Sequence, residues 1–249
     1  MSWARHIVFN CITLATALYG CTGQDSPECA SALGDIITEE RTLDSFNQIT
    51  ISGRLGINLI QDTLNWAEVE FGEGLTDGII TSVKHNTLFI SEENSCDWIR
   101  DQKVNPKLNI HYNHLTKIIN KGSGSLIFEN SHTTGKLSLE VDDVAGSVNI
   151  KFEGDSLSIL AHTGATDIGI SGVTHFANFY NSSYAPINAK NLISEVSVPH
   201  NNHTGDIIVN VSERLSYQIF DDGDIIVYGA PKIIQKWADE GNGEIIQKN

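Results

Sequence analysis

From Gly122 onward the chain alternates apolar and polar residues in short runs, each opening on a small or turn-forming residue. Gly124-Ser125-Leu126-Ile127-Phe128 is followed by Gly146-Ser147-Val148-Asn149-Ile150, Thr166-Asp167-Ile168-Gly169-Ile170 and Ala185-Pro186-Ile187-Asn188-Ala189. Gly205-Asp206-Ile207-Ile208-Val209, Gly223-Asp224-Ile225-Ile226-Val227 and Gly243-Glu244-Ile245 continue the series. The opening residues are separated by 22, 20, 19, 20, 18 and 20 positions. Apolar residues two apart share one face of a strand. A second set lies between the runs: Leu137, Leu139 and Val141, then Leu157, Ile159 and Ala161, then Leu215, Tyr217 and Ile219. Each repeat therefore supplies two strands with turns between them. One such repeat cannot bury its own apolar face, but stacked repeats share a core. The pattern predicts an all-β chain folded as a β-solenoid, a parallel β-helix with coils of ~20 residues and ~4.8 Å between paired strands.

The N-terminal half carries the same alternation with looser spacing. Ile49-Thr50-Ile51, then Leu55, Ile57 and Leu59, then Val69 and Phe71 predict strands, as do Leu108, Ile110 and Tyr112. Ile79–Val83 and Leu88–Ile90 flank a Lys84-His85-Asn86 turn, and Asn94–Pro106 reads as an inserted loop. No long amphipathic helix is written into the chain. No linker divides residues 35–249, which are expected to form a single solenoid domain, with Trp237–Asn249 as a cap on its end.

The first 20 residues read differently. Arg5 precedes an apolar run from Ile7 to Gly20, too short to span a bilayer comfortably and right for a signal peptide. The run ends Leu18-Tyr19-Gly20-Cys21, which resembles a bacterial lipobox, and the polar stretch after Cys21 reads as a tether over residues 21–34. The expectation is an exported lipoprotein with lipid on Cys21, held at the outer membrane or cell surface of a Gram-negative bacterium. Cys11 would leave with the signal. Cys29 and Cys96 then remain in an oxidising compartment, where a disulfide is the expected state of a lone pair.

Composition narrows the partners. With 31 acidic and 16 basic residues the formal net charge is −15, which argues against a nucleic-acid partner because phosphate binding needs a basic face. Ile and Asn are abundant, as strands and turns require.

Several of these segments resemble one known family. Ile36-Ile37-Thr38-Glu39-Glu40-Arg41, Phe46 and Ile49-Thr50-Ile51-Ser52-Gly53 are similar to its opening. Gly56-Ile57-Asn58 matches the tripeptide of its name, and Lys84-His85-Asn86-Thr87-Leu88-Phe89-Ile90 is similar to its next strand-turn-strand. Cys96-Asp97-Trp98 resembles a variant paired with a Cys near Cys29. The family is the bacterial one called putative auto-transporter adhesin, head GIN domain. The resemblance runs from about Gly34 to the C-terminus. It implies a pectin-lyase-like superhelix carried by lipoproteins and an adhesive role without established catalytic residues. The family's Gly-Ser-Gly corner is kept at Gly122-Ser123-Gly124 and replaced elsewhere by other turn-forming sequences.

Catalytic chemistry is weakly represented. Asp142-Asp143 and the Asp221, Asp222, Asp224 cluster are the carboxylates that a carbohydrate-active lyase or hydrolase would use. Adjacent strand residues point to opposite faces, however, and both clusters precede glycine corners, where Asp is a common turn former. The Asp221–Asp224 turn matches no calcium-loop spacing. His111 and His114, like His200 and His203, are three apart, an offset that sends strand side chains to opposite faces. Neither a metal nor a cofactor is expected. Phe176, Phe179, Tyr180 and Tyr184 cluster in one repeat, while Trp66, Trp98 and Trp237 are dispersed. Exposed rings stack on sugars, so Phe179, Tyr180 and Tyr184 form the candidate ligand surface, with Phe176 and Phe179 equally suited to the core. The sequence thus points to a lipid-anchored, non-enzymatic surface binder of glycans or surface proteins, with a carbohydrate-active enzyme as the alternative. Its strand ends leave homo-oligomers open. Thiol titration of unfolded, unreduced protein should find Cys29 and Cys96 protected; two reactive thiols would refute the bridge.

Overall fold

The repeat spacing becomes strand register. The protein is described by a computed structural model covering residues 34–93, 105–142 and 144–248. Its strands are β1 (Ile36–Thr42), β2 (Gln48–Arg54), β3 (Gly56–Gln61), β4 (Trp66–Gly72), β5 (Ile79–Lys84), β6 (Thr87–Glu92), β7 (Lys107–Tyr112) and β8 (Lys117–Phe128). They continue as β9 (Lys136–Val141), β10 (Val144–Ala161), β11 (Gly164–Asn181), β12 (Ile187–Asn201), β13 (Ile207–Ile219), β14 (Ile225–Tyr228), β15 (Ile233–Asp239) and β16 (Ile245–Gln247). All belong to one 16-stranded sheet, and a β-solenoid of parallel coils of about 20 residues results, as the sequence predicts.

The repeated runs stack on their own equivalents. Gly124 pairs with Gly146 and Gly146 with Thr166. Ile168, Ile187, Ile207, Ile225 and Ile245 form one ladder through β11, β12, β13, β14 and β16. The second set does likewise: Leu139, Ile159 and Phe179 are in register across β9, β10 and β11. A coil turns where the inward parity changes. In β10 the buried residues are Val148, Ile150 and Phe152, then Leu157, Ile159 and Ala161. The switch from even to odd marks a corner between the two sides of the core. At the preceding corner, ahead of Val148, Gly124 has φ 123° and Gly146 has φ 153°, and a Cβ on Gly146 would strike the Gly124 carbonyl oxygen, so that corner requires glycine.

Other corners are closed by asparagine. Asn181 and Asn201 are fully buried and in register. Asn181 Nδ2 donates to the Ala185 and Gly205 carbonyls at 3.1 and 2.9 Å, while its Oδ1 accepts from Ser183. Asn201 Nδ2 donates to Gly205 O at 3.0 Å and Asp224 O at 3.3 Å. These amides satisfy corner carbonyls that no strand partner reaches.

The N-terminal half departs from the looser parallel repeat expected of it. β4 is antiparallel to both β1 and β7, and β5 is antiparallel to β6 across a turn in which His85 and Asn86 have positive φ. β7 does not follow β3 in the stack. It lies on the outer side of β3, whose other neighbour is β8, and β6 likewise lies outside β2. The chain therefore doubles back over the first coil and closes it with antiparallel strands. Arg41 completes the closure: it pairs with Glu39 at 2.9 Å and donates to the carbonyls of Thr76 and Ile79, tying β1 to β5.

Among the described residues, the segment expected to cap the C-terminal end does not cover the core. β15 and β16 are simply the last strands of their ladders, and Ile233, Ile234 and Trp237 are about half exposed. Ile234 continues the inward ladder over buried Leu215, so among the described residues the apolar core runs uncovered to this end.

One polar group sits deep in the core. His132 is fully buried among Phe128, Phe152 and Tyr112; its Nδ1 lies 2.9 Å from the Tyr112 hydroxyl, and its Nε2 contacts the Thr134 hydroxyl. Burial pushes the imidazole down to about 4 and also raises the Tyr112 phenol; nearby His114 lowers His132 further, against a bond to the Leu115 carbonyl. The neutral ring is thus the folded form. Its contribution to stability is complete above pH ~6.5 and is lost as pH falls toward 4, about 2 kcal/mol being gone at pH 5. Denaturant unfolding at pH 7 and pH 5 should show this loss, and His132→Gln should flatten that part of the profile. An unchanged slope in the variant would refute it.

Candidate functional site

The register carries one side of each coil's exterior past Tyr180. Glu140, Leu160, Tyr180, His200 and Gln218 are successive partners on β9 to β13 and face outward, opposite to the buried Leu139, Ile159 and Phe179 ladder. Tyr180 is half-buried, with the His162 ring 5.8 Å away and Asn202 Nδ2 at 3.5 Å from its hydroxyl. His200 Nδ1 lies 3.0 Å from Gln218 Oε1, and its ring is 6.0 Å from Trp237. A stripe of ring side chains, His162, Tyr180, His200 and Trp237, thus crosses several coils. At the adjoining corner Tyr184, 70% exposed, packs its ring 4.4 Å from His203. Asn202 touches Tyr180 and precedes His203, so the two tyrosines belong to one continuous surface.

Phe179 does not belong to it. Its ring is 1% exposed and lies in the core, so that member of the predicted ligand surface is corrected. The reason is parity: Phe179 is in register with Ile159, which points inward. Phe176 is half-buried. The same spacing places Asn181 in register with Ala161, an inward position that sequence reading did not use.

The carboxylates singled out as enzymatic are already engaged, some by backbone N–H groups and some by neighbouring side chains. Asp206 accepts from Asp224 N at 2.9 Å, and Asp224 accepts from Glu244 N at 2.8 Å, each carboxylate capping the next coil. Asp221 accepts from Asp222 N, and Asp222 from the Asn242 amide. Asp142 accepts from the Thr163 hydroxyl at 3.2 Å, and Asp143 lies outside the described residues. These groups stack along one corner rather than converge across a cleft. The histidine pairs also separate: His111 bonds Asp62 at 3.1 Å and stacks on Trp66 at 3.9 Å, whereas His114 is exposed on the following loop. The Thr63 N–H, ahead of His111, holds the Asp62 carboxyl below its ordinary value. His203 accepts from Thr204 N, away from His200. Among the described residues no three His, Cys, Asp or Glu side chains are placed to hold a metal. Cys21, Cys29, Cys96 and Trp98 lie outside the described residues.

The profile of the family described as putative auto-transporter adhesin, head GIN domain, matches residues 45–231. The chain belongs to this family. No curated protein is similar to it. Among solved structures, a protein from Bacteroides fragilis described as a putative adhesin is 26% identical, with a TM-score of 0.77 over 86% of this chain and 97% of that one. A Parabacteroides distasonis protein described as a putative lipid binding protein is 22% identical, with a TM-score of 0.66 over 87% of this chain and 98% of that one. A putative adhesin from Parabacteroides merdae, 16% identical, has a TM-score of 0.61 over 87% of this head GIN chain and 97% of its own. The last two share the fold. Head GIN membership and the Bacteroides fragilis neighbour support an adhesin-like role, and neither is described as an enzyme.

The two classes of side chain respond differently to removal. Tyr184→Ala should change stability by less than about 0.5 kcal/mol, because its ring covers no core. Asp224→Ala should cost about 1 kcal/mol or more, because it leaves a corner N–H without its acceptor. Equal losses in denaturant unfolding would contradict this division.

Proposed function

We propose that the protein is a non-catalytic adhesin of the bacterial cell envelope, exported and anchored by lipid on Cys21. Its lateral face around Tyr180 and Tyr184 makes contact with partners at the cell surface. The observation that carries the reading is the continuous outward stripe His162–Tyr180–His200–Trp237 on a head GIN solenoid. A rigid stack presents such a row at fixed spacing, which suits contact with an extended partner. The lipobox-like Leu18-Tyr19-Gly20-Cys21 and the polar residues that follow support the anchor. The carbohydrate-active enzyme finds less support, since Asp221 and Asp224 accept from backbone N–H groups and Asp142 and Asp222 from neighbouring side chains.

Cys21→Ser should move the protein from the membrane to the soluble fraction of cells expressing it; unchanged membrane association would overturn the anchor. Beads coated with purified protein should adhere to cultured cells, and Tyr180→Ala combined with Tyr184→Ala should reduce adherence severalfold. Full adherence by the double variant would remove the lateral face from the proposal.

A further inference from the structure

A second surface lies where the repeat is interrupted. Three loops meet there: residues 43–47 between β1 and β2, residues 62–65 between β3 and β4, and residues 113–116 between β7 and β8. They enclose an open groove of about 600 Å³, within the ~300–1,000 Å³ range of small-molecule sites. Its walls are tied together. Leu43 N donates to Asn65 O, Asn113 N to Asn65 Oδ1 at 2.9 Å, Asn113 Nδ2 to Thr63 O at 3.2 Å, and Thr116 N to Asn47 O at 2.9 Å. Trp66 is braced by His111 at 3.9 Å, itself held by Asp62.

What the groove offers is specific in chemistry. Trp66 and Leu64, the latter 70% exposed, give an apolar platform. The bonds that fix Asn65 and Asn113 use Oδ1 of the first and Nδ2 of the second. Asn65 Nδ2 and Asn113 Oδ1 make no hydrogen bond among the described residues, which leaves one donor and one acceptor on anchored amides. Ser45, Thr63 and His114 add groups able both to donate and to accept. No Asp, Glu, Lys or Arg lines the groove, although the chain carries 31 acidic and 16 basic residues. An anionic ligand would find no cation here and an acidic molecule around it; a cationic one would find no carboxylate in the lining. A ring with an apolar face and a rim of hydroxyls matches the platform and the paired amides.

We infer that this groove binds a neutral saccharide, stacked on Trp66 and Leu64 and hydrogen-bonded to Asn65, Asn113 and His114. The inference does not rest on the lateral face or on the lipid anchor. The test is an array of immobilised neutral oligosaccharides built from hexoses, fucose and N-acetylhexosamines, with sialylated and sulfated counterparts. The strongest neutral binder is then titrated against the full chain by calorimetry. Trp66→Ala should weaken that binding at least tenfold and Leu64→Ala about threefold or more, while Tyr180→Ala leaves it unchanged. Leu64 is exposed enough that its variant retains the fold, which keeps the test decisive if Trp66→Ala does not fold. Silence on neutral glycans, binding confined to sialylated or sulfated ones, or full binding by Leu64→Ala would overturn the inference. Loss in Tyr180→Ala with retention in Leu64→Ala would move the sugar to the lateral face, overturning the groove but not the adhesin reading.

Discussion

The structure depends on one constraint: each coil must satisfy its backbone hydrogen bonds through the coils above and below it. Parallel strands in register do this along the sides if successive coils turn at nearly the same place, and register shifts such as those between Asn188 and Ile193 absorb the differences in coil length. That requirement explains the side chains that look most idiosyncratic. Gly146 is glycine because the corner beneath it leaves no room for a Cβ against the Gly124 carbonyl. Asn181 and Asn201 are buried amides because their corners turn carbonyls inward. Asp206 and Asp224 each cap an N–H of the next coil. Asp224, which a catalytic reading would recruit, is thus consumed by the stacking rule.

The same rule makes the ends of the stack its weak points, because a terminal coil has no outer partner. The two ends meet this differently. At the N-terminal end the chain reverses, sets β4 antiparallel between β7 and β1, pairs β5 antiparallel to β6, and ties β1 to β5 through Arg41. At the other end β15 and β16 stop with Ile234 still in the inward ladder. The polarity of the molecule is therefore energetic as well as directional, with a polar closure at one end and exposed apolar core at the other.

This contrast also explains what the sequence made legible. The C-terminal repeats could be read because register follows from spacing: Gly124, Gly146 and Thr166 are in register as their separations require. The N-terminal half resisted because a period of two is shared by parallel and antiparallel strands, so alternation cannot reveal that β7 sits outside β3. On the candidate surface, Tyr180 and Tyr184 were legible as aromatic residues among turns, and parity alone would have withdrawn Phe179, one repeat beyond Ile159. Asn181 carried the same inward signal but was masked by its polar character. The groove was not legible, since its walls come from three loops that only the reversal brings together.

That origin links the groove to the fold. The sides of a regular solenoid suit a flat, extended partner. The groove arises where coils stop matching near the closed end, whereas a smaller hollow of about 410 Å³ lies on the coils between Glu153, Val173 and Ile193. The loops of the groove depart from the repeat, although Asn47 and Thr116 still bond along the stack. Unlike the corner aspartates and asparagines, the free amide atoms of Asn65 and Asn113 are left available while their opposite ends anchor the loops. A lateral surface for extended partners and a pocket for a small neutral one thus follow from the regular and the interrupted parts of a single stacking rule.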